Sequence, residues 1–268
     1  QELANELQGR LQVNLGISED CGESGIVTSA CKSAEEPEII VWGDSYAMHL
    51  VPGIMSSNQD APIVQITKSV CGPILGVAPI KYPYSSKDWL DGCIAFNETA
   101  ARYISRTSSL RYAVLSSPFD TYLHENSRIY YNGGIMEPDV DFLVAKFTET
   151  LDWLVNQGIK PIVFSPPPRD GRDIGLCLAR SNWLGIEDTI CDLKLADHLT
   201  YEAKILHFLS RIEERYEVVK VADYLCAQRR CKAEKEGVFI YRDKGHLSIT
   251  GSRYLGQMMN FYHAITRK

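Results

Sequence analysis

The first apolar run, "EIIVWG", sets Ile39, Ile40, Val41 and Trp42 in succession with no polar alternation. Side chains alternate between the two faces of a strand, so an unbroken apolar run predicts a strand covered on both faces. Four later runs read the same way: "APIVQITK", "RYAVLSS", "IKPIVFSPPP", which three prolines stop, and the shorter "EVVKVADYL". Between them the apolar residues recur at helical spacing. "PDVDFLVAKFTETLDWLVNQG" has Asp139 or Asp141 near its start and Gly158 at its end, the start and stop signals of a helix. "SYAMHLVPGI", residues 94–107, "LADHLTYEAKILHFLSRIEERY" and the closing "TGSRYLGQMMNFYHAI" are further predicted helices. Residues 1–20 begin amphipathic, with Leu3, Leu7 and Leu11 on one helix face. Residues 21–37, 68–93 and 171–192 read as loop or irregular chain. Strands alternating with helices predict an α/β fold, a parallel sheet with helices on both faces. Ligands of such sheets bind beyond the carboxyl ends of the strands, the edge at which Ser45, Gly72, Phe119 and Pro166 emerge.

Composition narrows the class. The chain has 268 residues, enough to bury a substantial core. Its formal charge is 28 − 34 = −6, which argues against a nucleic-acid partner. No stretch approaches the roughly 20 consecutive apolar residues of a membrane span. The first residue is Gln1, so a processed or excised piece of a longer protein is expected. The eight cysteines, Cys21, Cys31, Cys71, Cys93, Cys177, Cys191, Cys226 and Cys231, contain no C-x-x-C pair. A metal site is therefore not expected. The even count in neighbouring pairs suggests four local disulfides and an oxidising compartment. The alternative is a cytosolic protein with buried free thiols.

Two short stretches carry candidate chemistry. In "IIVWGDSYAMHL" the first strand hands over to a helix at Gly43, Asp44 and Ser45. A serine there could attack a carbonyl while its own N–H faces the oxyanion. Equally, Asp44 or Ser45 could simply cap the helix. The far stretch "YRDKGHLSITGS" contains Asp243 three residues before His246. A carboxylate so placed can accept the Nδ1–H of the imidazole and leave Nε2 free to take a proton from a serine. Alone a D-x-x-H is weak. Paired with G-D-S after the first strand of a parallel sheet, it points to a Ser-His-Asp centre.

"GDSYAMHL" and "DKGHLSITG" resemble the first and last blocks of the SGNH hydrolase family. They resemble more closely the SGNH domains fused behind membrane-embedded acyltransferase-3 domains. Those fused proteins are bacterial O-acyltransferases, many of which acetylate O-antigen or other surface polysaccharides. The likeness spans roughly residues 38–265. It implies a three-layer α/β/α, flavodoxin-like fold over residues 37–268, with residues 1–36 as an extension or linker to a last membrane helix. It implies Ser45 as nucleophile, His246 as general base and acid, and Asp243 as the orienting carboxylate. The N–H groups of Ser45 and Gly72 are the expected oxyanion donors. The family's third block places an asparagine after strand three. Here that region reads "LSSPFDTY", with no asparagine, and Phe119 matches the aromatic common in the fused branch. A missing donor costs about 3–4 kcal/mol of transition-state stabilisation, which predicts slow chemistry by the isolated domain.

The resemblance further implies a periplasmic domain of an inner-membrane protein and a polysaccharide acceptor. It implies no bound cofactor, because the acetyl group, ultimately from acetyl-CoA, would arrive through an upstream acyltransferase-3 domain. Two rivals stay open: a carbohydrate acetyl esterase using the same residues, and a non-catalytic polysaccharide-binding module. Tyr82, Tyr84 and Trp89 are candidates for a sugar-stacking platform or for cover over a core, and Phe119 is a candidate substrate contact. Arg169 and Arg172 are expected in a solvated loop, or against an anionic sugar. His49, His124, His198, His207 and His263 are expected to be surface or core residues rather than direct participants.

Overall fold

A computed structural model describes residues 2–21 and 25–267. Five strands form the central sheet: β1 (Ile39–Gly43), β2 (Ile63–Thr67), β3 (Tyr112–Ser116), β4 (Lys160–Phe164) and β5 (Glu217–Val219). Their order is β2-β1-β3-β4-β5 and every pairing is parallel. The five expected strands are thus all present. Ile40 and Trp42 face one helix layer, which includes Lys87–Arg106, Val140–Asn156 and Ala203–Glu213. Ile39 and Val41 face the other, with Val51–Ser57, Ile174–Leu184 and Ile249–Met259. The result is the expected three-layer, flavodoxin-like fold. β1 and β2 are buried along their whole length, which explains runs without alternation.

The strand order reverses between β1 and β3, and a crevice opens beyond the carboxyl ends at such a reversal. Gly43, Thr67 and Ser116 stand in register there. Gly43 has φ 154°, and a Cβ on it would overlap the Ser116 carbonyl. Only glycine lets β1 pass this close to β3 before the chain turns into Ser45.

Several elements differ from the pattern-based expectation. The supposed loop 68–93 contains a strand, Val77–Ile80, which pairs with Arg128–Tyr131, and that strand pairs in turn with Gly134–Met136. The helix expected from residue 94 begins at Lys87, where the Ser86 side chain accepts the Trp89 N–H. Residues 171–192 include the helix Ile174–Leu184. The two long C-terminal helices are each broken, at Glu202 and at Asn260.

The segment before residue 37 packs on the domain. After the helix Glu2–Arg10, Leu7 is buried, Asn14 donates to the His49 carbonyl at 3.1 Å, and the Ile17 N–H donates to Gln65 at 2.8 Å. The Leu3 side chain lies outside the described residues. Ser33 N–H donates to the Ile63 carbonyl at 2.9 Å, so this segment also covers the open edge of β2. All eight cysteines are paired as nearest neighbours: Cys21–Cys31, Cys71–Cys93, Cys177–Cys191 and Cys226–Cys231.

Candidate active site

Ser45 opens the short helix Ser45–Met48, and Asp44 caps it by accepting the Tyr46 N–H at 2.8 Å. The two readings of "GDS" therefore divide between neighbours: Asp44 caps, and Ser45 is left for other contacts. His246 reaches Ser45 from the loop before the helix Ile249–Met259, with Nε2 2.8 Å from Ser45 Oγ. Its Nδ1 lies 2.9 and 3.1 Å from the two oxygens of Asp243. Asp243 Oδ1 also accepts the N–H groups of Gly245 and His246, at 3.0 and 2.8 Å. Partial burial pushes the Asp243 carboxyl up. The hydrogen bond and charge of His246 and those two N–H groups outweigh it, so the group ends well below the usual carboxylate range. The three residues named from the sequence are thus brought into one hydrogen-bonded chain.

A cleft of about 500 Å³ contains this chain. Tyr46 forms its floor under the imidazole, with ring centroids 4.6 Å apart. The Tyr46 hydroxyl accepts from Arg169 Nη1 at 3.2 Å. Arg169 is buried rather than solvated. Its other donors go to Glu202, to Asp120 Oδ2 at 3.1 Å and to the Pro118 carbonyl at 3.2 Å. One guanidinium thus ties the loops after β1, β3 and β4 to the helix Ala203–Glu213. Gly245 leaves room for it, since a Cβ there would overlap both Arg169 and Tyr46. Arg172, by contrast, is exposed and pairs with Asp170.

The remaining candidates sit elsewhere. Phe119 is fully buried, its ring 5.5 Å from Phe147 and 4.8 Å from Phe208. It is a core residue and does not face the cleft. Its neighbours Pro118, Asp120 and Thr121 do. Gly72 is buried too, and its N–H donates to the Tyr122 hydroxyl at 3.0 Å. That N–H is already committed, which corrects the expectation of an oxyanion donor. Asn97 holds this turn, accepting from Trp42 at 2.9 Å and donating to the Gly72 carbonyl at 2.9 Å. Ser117 follows β3 directly, and its hydroxyl donates to Asp44 Oδ2 at 2.6 Å. Burial raises the Asp44 carboxyl to about 7 despite that bond and the Tyr46 N–H. Tyr82 is 90 % exposed, while Tyr84 and Trp89 lean on one another at 5.3 Å; none of the three lines the cleft, whereas Lys81 does.

His49 is buried, and its Nδ1 accepts the Leu247 N–H at 3.1 Å. Burial first, and then the neighbouring His246 and Arg242, hold it well below the ordinary histidine pKa. Its side chain braces the segment that carries His246, while its backbone N–H closes the helix turn on the Ser45 carbonyl at 3.1 Å. His198 is buried beside Arg169, and His124, His207 and His263 are exposed.

A family model of SGNH domains fused to AT3 domains matches residues 18–261. The chain belongs to that family. No curated protein sequence matches this SGNH domain. Among solved structures it is similar to the periplasmic domain of a lipopolysaccharide acetyltransferase from Salmonella ser. Paratyphi A. The TM-score is 0.61 at 18 % identity, over 97 % of this chain and 96 % of the other. A putative acylhydrolase from Bacteroides fragilis aligns over 97 % of this chain and 95 % of its own, with TM-score 0.40 and 9 % identity. The family match begins at residue 18, so much of the N-terminal segment packed on β2 belongs to the SGNH domain as the family defines it.

Proposed function

We propose that this domain transfers an acetyl group, through an acyl-Ser45 intermediate, to a hydroxyl of a bacterial surface polysaccharide such as lipopolysaccharide O-antigen. The observation that supports it is the hydrogen-bonded chain Ser45–His246–Asp243, opening on a polar cleft, in a member of a family fused to AT3 domains. His246 Nε2 takes the Ser45 proton as Oγ attacks the acetyl carbonyl, and returns it to the leaving group of the donor. Acyl-Ser45 remains. A sugar hydroxyl then enters, gives its proton to Nε2, and attacks the ester; the proton passes to Ser45 as the acetylated sugar leaves. Asp243 holds the imidazole in the tautomer that this requires.

On this reading the domain lies in the periplasm and a membrane AT3 domain presents the donor, with acetyl-CoA as the source. Among the described residues no helix is long and apolar enough to cross a membrane. Water, at about 55 M, competes with the sugar, and effective molarities of about 10⁵ M or more for an oriented hydroxyl let the sugar win. The test compares residues 1–268 with the same domain joined to its AT3 domain. Expected are Ser45 labelling by a serine-directed phosphonate, slow hydrolysis of an activated acetyl ester by the isolated domain, and polysaccharide acetylation only with the membrane domain present. Rapid deacetylation of polysaccharide by the isolated domain, without transfer by the joined protein, makes it an esterase. An unlabelled Ser45 makes it a binding module.

A further inference from the structure

We infer that the acceptor glycan lies in a groove running from Ser45 over Asp120 and Thr121 to the loop at residues 124–127, and that this groove takes a neutral, polyhydroxylated sugar. The inference rests on the acyl-transfer reading above and adds the acceptor's path and class.

The cleft at Ser45 and a second depression of about 310 Å³ share Lys81, Asp120 and Thr121 as walls. They are continuous along one face. The far depression is lined by Ile80 and the polar run His124–Ser127. A different cavity of about 650 Å³ opens beyond β4, against Leu195, Leu199, Leu206 and Leu209. Its lining is mainly apolar and it lacks the Ser45–His246 pair. A sugar is oriented by convergent hydrogen-bonding groups, and the groove sets its own beside the Ser45–His246 pair.

Two atoms of the groove wall lack a protein partner. Thr121 is 8 % exposed, and its Oγ1 makes no hydrogen bond to the protein. Asp120 Oδ1 is likewise without a partner, although Oδ2 is held by Arg169 at 3.1 Å. Buried polar atoms left unmatched are uncommon and costly. Both atoms are shielded as the side chains stand. Binding would require a change of staggered χ1 that presents the Thr121 hydroxyl to the groove, and a rotation of the Asp120 carboxylate that presents its unpartnered oxygen. Neighbouring ligand hydroxyls then match them, one donating to Asp120 and the other accepting from Thr121. Vicinal hydroxyls of a pyranose have this donor and acceptor pattern.

Charge selects against an acidic sugar. Arg169 is committed to Glu202 and Asp120; of the remaining charges that line the groove, Asp173, Glu125 and Asp243 outnumber Lys81 and Lys244. A ligand carboxylate would enter beside that excess of like charge, to which Asp44, raised to about 7, adds only part of a charge near neutral pH.

The experiment uses residues 1–268 carrying Ser45→Ala, so that binding is read without turnover. The probes are methyl glycosides of galactose, glucose, mannose and rhamnose, and the uronate of galactose, at millimolar concentration. The expected result is methyl-NMR shifts at Thr121 and Ile80 with at least one neutral glycoside, and at least tenfold weaker binding of the uronate. Adding Thr121→Val should weaken the neutral glycoside at least fivefold, and Thr121→Ser should restore it. Shifts confined to Leu195, Leu199 and Leu206, no shifts with any neutral glycoside, uronate binding as tight as the neutral sugar, or an unaffected Thr121→Val variant would each overturn the inference. None of these outcomes depends on Ser45 chemistry, which phosphonate labelling of the unsubstituted chain tests separately.

Discussion

Asp243→Asn isolates the orienting role of one carboxylate. In the folded protein Asp243 Oδ1 accepts two backbone N–H groups, at 3.0 and 2.8 Å, and Oδ2 lies 2.9 Å from His246 Nδ1. The asparagine carbonyl keeps both backbone bonds, so the turn from Asp243 to His246 holds its shape. The amide NH₂ then replaces Oδ2 and faces Nδ1. Donor cannot face donor, so the imidazole shifts its proton to Nε2. That nitrogen lies 2.8 Å from Ser45 Oγ and becomes a donor toward it. The serine proton has lost its base.

The cost has two parts. Restoring the active tautomer breaks a hydrogen bond and leaves two donors opposed, about 1–3 kcal/mol. The imidazolium formed during attack also loses its counter-charge. At about 4 Å and an effective dielectric of about 20, fit for a half-exposed pair, that is about 4 kcal/mol. Together they amount to about 5–7 kcal/mol, a fall in rate of about 10⁴-fold or more. The assay is hydrolysis of an activated acetyl ester by residues 1–268, alongside the rate of phosphonate labelling, with a thermal melt to verify folding. A variant that melts like the parent and keeps a tenth or more of its rate would refute this account of the site.

Phe119→Ala should lower unfolding free energy in urea by about 3–5 kcal/mol, because the ring fills the core between Phe147 and Phe208; a change below about 1 kcal/mol would put the ring elsewhere. The buried Asp44, raised from 3.8 to about 7, gives a pH signature. Folding favours its protonated form, so its stabilisation is complete below about pH 4 and is lost as pH rises toward 7, by about 4 kcal/mol. Urea titrations from pH 4.5 to 8 of the parent and of Asp44→Asn should differ by that slope, while the buried Glu202, also raised to about 7, keeps its own contribution in both. Replacing Cys71 and Cys93 together by serine should cost about 2–4 kcal/mol in the same assay, since the bridge ties the turn after β2 to the helix Lys87–Arg106; an unchanged midpoint would contradict that role.

The strands were legible because a parallel sheet between two helix layers demands apolar residues on both faces, and "EIIVWG" or "KPIVF" satisfies little else. The hairpin at residues 128–136 carried a usable signal in Asn132-Gly133, which both adopt positive φ, 49° and 79°. Its flanking tyrosines blur the apolar pattern. The helix Ile174–Leu184 was hidden for the opposite reason. Leu176, Trp183 and Leu184 are exposed, so its apolar residues mark no single buried face.

The site divides along the same line. Ser45 and Asp243-x-x-His246 are read from sequence because each depends on its own turn: Gly43 and Asp44 shape the first, and Asp243 binds the N–H groups within its own loop in the second. Gly72, Phe119 and Arg169 depend on distant neighbours. Gly72 loses its donor to Tyr122, fifty positions on, and Arg169 reaches back 123 positions to Tyr46. No local pattern records either pairing. Phe119 shows why position along a strand edge is a poor guide to what faces a ligand. The residues after β3 do reach the cleft, but the chain turns at Phe119 with φ 55°, sending the ring to the core while Asp120 and Thr121 line the opening. An apolar ring gains from burial what a carboxylate would lose, so the polar pair was the better candidate for lining an open cleft.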